Sequence, residues 1–158
     1  MIEQSATAAL AATMGHETIL LVEDEEVVRL MLVEVLRQQG YAVVEARRGA
    51  NALALAEKAA RPIDLLVTDM SMPGMTGWEL AKSLRATRSD LPVLFISGHN
   101  DHETKGWGKL DPPPEYLLKP FTLEAFLEKA RQMLDREKMS AREKRLDTTG
   151  ADSPSAVS

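Results

Sequence analysis

No cysteine occurs anywhere in the chain, which excludes disulfides and thiolate metal sites at the outset. That absence fits a reducing compartment. A cationic excess is missing too: 19 Lys and Arg stand against 24 Asp and Glu, a net charge of −5. Without a basic stripe, binding to a nucleic-acid backbone has no support. No apolar run approaches the roughly 18 residues of a membrane span. Met1-Ile2-Glu3-Gln4 lacks the positive start and apolar centre of a signal peptide. A glycine-rich nucleotide loop is also lacking, which removes the visible means of holding ATP. The expectation from these absences is a soluble, cytoplasmic protein that engages neither nucleic acid nor membrane.

What is present is ordinary for one globular domain: 158 residues, 44% hydrophobic and 27% charged, enough to bury a core without covalent staples. Residues 1–16, rich in Ala, Ser and Thr, read as an N-terminal linker. Thr18-Ile19-Leu20-Leu21-Val22 is then a continuous run of the kind found in a strand buried on both faces. It stops at Glu23-Asp24-Glu25-Glu26, whose carboxylates suit the first turn of a helix. Val28, Met31 or Leu32, Val35 and Leu36 recur at helical spacing until Gly40 closes that helix. The alternation repeats with a strand over 41–45, an alanine-rich helix over 50–60 and a strand over 63–68 interrupted only by Asp64. Loop 69–77 leads into a helix over 78–87, and strands follow at 92–96 and 115–118. Thr122 caps a last helix with Leu123, Phe126, Leu127, Ala130, Met133 and Leu134 on its buried stripe.

The weak element is the fourth helix, over 101–110. Gly106 and Gly108 each cost about 1 kcal/mol relative to Ala inside a helix, and Asp111-Pro112-Pro113-Pro114 forbids continuation. A short or irregular segment is expected there. Residues 139–158 turn polar and read as a disordered tail. Five strands alternating with helices imply an α/β fold built on a parallel, doubly wound sheet with right-handed crossovers.

In such a sheet the functional crevice lies outside the carboxyl ends of the strands. The first strand delivers Glu23 and Asp24 there, the third Asp69, the fourth Ser97 and the fifth Lys119. Carboxylates gathered this closely repel and raise one another's pKa unless a cation intervenes. Hard oxygen donors without His or Cys favour magnesium. The set suits phosphoryl transfer, in which an Asp carboxylate attacks phosphorus while metal and Lys neutralise the equatorial oxygens. Taken singly, Asp69 before a Pro-Gly loop is a turn residue, Glu23 to Glu26 a solvated helix start and Lys119 a surface charge. Their shared placement at strand ends favours the chemical reading. Met70, Met72 and Met75 read as packing, and His99 and His102 have no third ligand in view. Trp107 reads either as part of a partner surface or as a buried anchor.

Ile19–Glu26 (ILLVEDEE), Leu65–Gly77 (LLVTDMSMPGMTG), Val93–Gly98 (VLFISG) and Tyr116–Phe121 (YLLKPF) resemble, in order and spacing, the four signature blocks of response-regulator receiver domains of two-component systems. The resemblance covers about residues 17–137 and implies a receiver domain over 17–138 with a flavodoxin-like sheet of order 2-1-3-4-5 and about five helices. It implies that Asp69 takes a phosphoryl group from a histidine kinase or a histidine phosphotransfer protein. Asp24, Asp69 and the Ser71 backbone carbonyl would ligate magnesium directly, and Glu23 through water; many family members have Asp where this chain has Glu23. Ser97 and Lys119 would contact the phosphoryl group, backbone N–H groups near Met70 and Gly98 would cradle its remaining oxygens, and Tyr116 would turn inward on activation. The Lys119–Pro120 bond is expected to be cis.

Ser97-Gly98-His99, the Pro-rich segment 111–114 and LLKPFTLEAF look most like receivers attached to hybrid sensor histidine kinases, with a stand-alone regulator as the other setting. No kinase catalytic domain is expected, and the polar residues after 138 are too few for a DNA-binding module. The chain is therefore expected to signal through a downstream protein partner rather than act as an enzyme, as a monomer or weak homodimer. Two other classes fit the residues less well. An aspartate-nucleophile, magnesium-dependent phosphatase usually has a second Asp two residues past the nucleophile, where Ser71 stands, and a cap insertion that is absent. A receiver-shaped interaction module that is never phosphorylated has no need of an intact acidic pocket.

Overall fold

A strand with apolar side chains on both faces is stable only between sheet neighbours and under cover on each side. In the computed structural model, which describes residues 16–98 and 109–150, three strands meet that condition. They are β1 (Thr18–Val22), β3 (Leu65–Asp69) and β4 (Val93–Ser97), buried along their whole length. The more exposed β2 (Ala42–Ala46) and β5 (Glu115–Leu118) form the edges. All pairs are parallel and the order is β2-β1-β3-β4-β5, as expected. Val22 lies beside Ala46 and Thr68, Asp69 beside Ile96, and Ser97 beside Leu118, so the carboxyl ends finish nearly level.

Among the described residues four helices cover the sheet: α1 (Glu26–Gln38), α2 (Gly49–Lys58), α3 (Gly77–Arg85) and α4 (Leu123–Gly150). The two-residue period of β1 divides its side chains between two cores. Ile19 and Leu21 pack with Leu32 and Leu36 of α1 and Phe126 and Ala130 of α4. Leu20 and Val22 pack with Ala52 of α2 and Trp78, Leu80 and Ala81 of α3. Each fully buried Leu or Ile contributes roughly 1.5–3 kcal/mol relative to its exposed state.

Local details follow from side-chain chemistry. Of the two candidates on α1, Leu32 is the core residue and Met31 faces outward. Asp64 lies just before β3, where its Oδ2 accepts the Thr18 N–H at 2.8 Å. Gly40 ends the first helix with φ of 91°, and Thr122 caps α4 by accepting the Ala125 N–H at 3.0 Å. A reciprocal capping box starts α3, unforeseen in the sequence. Thr76 Oγ1 accepts the Glu79 N–H at 3.1 Å, and Glu79 Oε2 accepts the Thr76 N–H at 3.3 Å.

One expectation is corrected. The last helix does not give way to disorder at residue 139 but runs on to Gly150. Ala141, Arg142, Glu143, Lys144, Arg145 and Leu146 are strong helix formers, and neither Gly nor Pro intervenes before Gly150. Once the first turns are nucleated on the core, such a sequence propagates. Residues 1–15, 99–108 and 151–158 lie outside the described residues. The expected fourth helix is therefore almost wholly outside them, as are His99, His102 and Trp107 and nearly all of the expected linker.

Candidate functional site

The level strand ends bring three carboxylates to one rim. Glu23 and Asp24 follow β1 directly and Asp69 closes β3; one oxygen from each lies within 4.8 Å of the others. Glu23 is fully buried and Asp69 nearly so, whereas Asp24 is exposed. Lys119, one residue past β5, reaches across with its Nζ 3.2 Å from Asp69 Oδ2 and 3.7 Å from Glu23 Oε2. Four of the residues expected to act together are thus assembled from three separated segments.

Burial and mutual repulsion dominate the electrostatics. Burial, then the neighbouring Asp69 charge, push the Glu23 carboxyl up to about 7 against the pull of Lys119. Asp69 is raised by burial, although Lys119 and the Ser71 N–H oppose the shift. Burial disfavours the charged form of Lys119, yet attraction to Asp69 and Glu23 outweighs it and raises its pKa. Glu23 Oε1 accepts the Glu25 N–H at 3.2 Å, but among the described residues its buried Oε2 has no hydrogen-bond partner, only the Lys119 ammonium at 3.7 Å. A buried carboxylate oxygen without a hydrogen bond, beside two further carboxylates and with only oxygen donors in the set, fits a hard divalent cation such as magnesium.

The remaining expected residues surround this cluster. Ser97 ends β4, buried, and its Oγ donates to Gly98 O at 3.3 Å. Its own carbonyl accepts the Lys119 N–H at 2.8 Å, which ties the fifth strand's end to the fourth's. The Ser71 N–H approaches Asp69 Oδ1 at 3.4 Å. The Lys119–Pro120 bond is cis. Tyr116 is 45% exposed, its ring centroid 5.6 Å from that of buried Phe95, which in turn stacks on Trp78 at 6.0 Å. Met70 departs from expectation: its N–H donates to Ile96 O at 3.1 Å, in the β3–β4 ladder, and so is already engaged rather than facing the acidic rim.

Sequence reasoning missed several supports. Arg29, buried on α1, donates from Nη1 to the Glu23 carbonyl at 3.1 Å. The signal was a charge standing inside an apolar helical stripe. The Thr68 hydroxyl donates to Asp69 O at 3.0 Å. Gly77 donates its N–H to Met70 O at 3.0 Å, and an added Cβ there would overlap the Asp69 carbonyl oxygen. Nothing in the linear pattern marked Gly77 beyond its place at the start of a helix.

Comparison with known proteins agrees with this geometry. A family profile for the response regulator receiver domain matches residues 19–131. Sensor kinase CckA of Brucella abortus (strain 2308) is 36% identical over 123 residues, which is 78% of this chain and 13% of that protein. Transcriptional regulatory protein CreB of Escherichia coli (strain K12) is 33% identical over 126 residues, 79% of this chain and 54% of that protein. The chain therefore spans about half, or much less, of these relatives. Among solved structures, the receiver domain from hybrid histidine kinase CckA matches with a TM-score of 0.61 at 38% identity, covering 74% of this chain and 98% of that one. Chemotaxis protein CheY4 of Vibrio cholerae matches with a TM-score of 0.67 at 32% identity, covering 75% and 99%. By sequence and by fold, this chain belongs to the response regulator receiver domains of two-component signalling systems.

Proposed function

We propose that Asp69 is the phosphoryl acceptor of this receiver, in a unit spanning residues 17–138. The observation that carries the reading is the contact of Lys119 Nζ with Asp69 Oδ2 at 3.2 Å beside two further carboxylates. An Asp69 oxygen attacks phosphorus, the bond from phosphorus to the donor's imidazole nitrogen breaks, and the imidazole departs with the electron pair. Lys119 pairs with the incoming charge, and the Ser97 hydroxyl, now on Gly98 O, turns to a phosphoryl oxygen. Asp24, Asp69, Glu23 and the Ser71 carbonyl would hold a magnesium ion, which supplies neutralisation of the transferring group when bound. Gly98, at the rim, offers its backbone N–H to the same oxygens.

The drawing-in of Ser97 vacates space that Tyr116, now outward against Phe95, can fill, so a local charge event biases a two-state element. A downstream protein partner reads the altered surface. The donor is a histidine kinase or histidine phosphotransfer protein. A groove of about 410 Å³ beside Lys119, lined by Val28, Met31, Leu32, Phe121 and Leu123, offers it an apolar seat. Val27 and Leu30 stand exposed on the same helix. Similarity to the CckA receiver supports attachment to a sensor kinase as the setting, with the receiver itself a monomer or weak homodimer in the cytoplasm.

The test is incubation of the parent chain and Asp69→Asn with acetyl phosphate and magnesium, followed by intact mass. The parent should gain one phosphoryl group and the variant none; equal incorporation would refute the assignment.

A further inference from the structure

A recess of about 450 Å³ lies on the β2 side of the acidic cluster, lined by Asp24, Arg47, Arg48, Asn51 and Pro73. The backbone fixes its position. Glu23 donates its N–H to Ala46 O at 3.2 Å, which ties the end of β2 to the cluster, and Arg47 and Arg48 follow at once. Arg48 O accepts the Ala52 N–H at 3.0 Å and so seats α2. Gly49 packs against Met75 so closely that an added Cβ would lie 2.8–3.0 Å from that side chain. The wall of the recess therefore rests on the loop that follows Asp69.

Arg47 and Arg48 both line the recess and are exposed, and among the described residues neither side chain has a hydrogen-bond or ion-pair partner. Among the described residues Asp24 is the one carboxylate lining the recess, and it is part of the acidic cluster. The first turn of α2 contains no acidic residue and its start has no side-chain cap, so its N–H groups add to the positive potential. Guanidinium forks match the paired oxygens of phosphate and carboxylate.

We propose that this recess is an oxyanion-binding site, for a phosphate or carboxylate group, distinct from the phosphoryl acceptor. Arg47 and Arg48 hold the anion, Asn51 donates from its amide, and occupancy is felt at Asp69 through the Gly49–Met75 contact. The inference goes beyond the acceptor assignment and does not depend on it.

The test titrates inorganic phosphate into magnesium-free Asp69→Asn protein at constant ionic strength, with backbone amide shifts as the readout. A second arm uses an N-acetylated tetraglutamate peptide. Saturable shifts centred on Arg47, Arg48 and Asn51 are expected, with affinity about tenfold weaker or worse in Arg47→Gln/Arg48→Gln. A tighter response to phosphate assigns a phosphate-bearing ligand, and a tighter response to the peptide assigns an acidic segment of a partner protein. Shifts that do not saturate, that centre on Ser97 and Lys119, or that survive the double substitution would overturn the site. Failure of the parent chain to accept phosphate from acetyl phosphate would instead sink the acceptor reading and leave this one standing.

Discussion

At Gly77 a Cβ would meet the Asp69 carbonyl oxygen and lie 3.2 Å from the Met70 Cα, while the Gly77 N–H closes the loop onto Met70 O. The same few atoms thus set both the start of α3 and the backbone that aims the Asp69 carboxylate. Gly77→Ala should force this backbone apart, with a loss of about 1–3 kcal/mol of stability. Urea unfolding measures that cost, and a magnesium titration should show weaker binding because a carboxylate has moved. Unchanged values in both would mean that the loop has room to yield. Arg29 acts in the same spirit from α1, fixing the carbonyl of the buried Glu23.

At the level of elements, two acidic residues anchor α4. Glu17, just before β1, binds Arg131 at 2.9 Å and also pairs with Lys138, while Glu115 of β5 binds Lys129 at 3.1 Å and Arg136 at 3.0 Å. Burial alone would raise the Glu17 carboxyl, but the hydrogen bonds from Arg131 and Lys138 prevail and hold it down at about 2, from an ordinary 4.5. A depressed carboxyl stabilises the fold above its unfolded pKa and loses that contribution as pH falls through the folded one. The window is therefore between 4.5 and about 2. Stability should fall by roughly 1–3 kcal/mol across it through this group, and Glu17→Gln should flatten that part of the pH profile. The end of α4 is a different matter, since its core residues stop at Leu134. A chain ending at residue 138 should lose helical circular-dichroism signal yet keep its unfolding midpoint nearly unchanged, within about 1 kcal/mol. A collapse of the midpoint would show that the extension braces the fold.

For the molecule as a whole, the acidic rim is a cost that a cation bound as proposed would remove. A ligand that binds only the folded state stabilises it by about 2.7 kcal/mol at a hundred times its dissociation constant. Thermal unfolding of the parent chain should therefore shift upward with added magnesium, and Asp24→Asn should abolish most of the shift. Equal shifts in both would remove Asp24 from the ligand set. Apolar runs at strand length, helical stripes, and the acidic and basic residues that follow particular strands are local features, and they sufficed for a parallel, doubly wound sheet and for Glu23, Asp24, Asp69 and Lys119 as neighbours, while the strand order followed from the resemblance to receiver domains. The engagement of the Met70 N–H by Ile96, the burial of Arg29 against the Glu23 carbonyl, the outward Tyr116 on Phe95 and the tight approach at Gly77 were decided only by tertiary packing. Each depends on which distant group arrives first at a shared donor, acceptor or volume, and that competition has no period or spacing along a single chain.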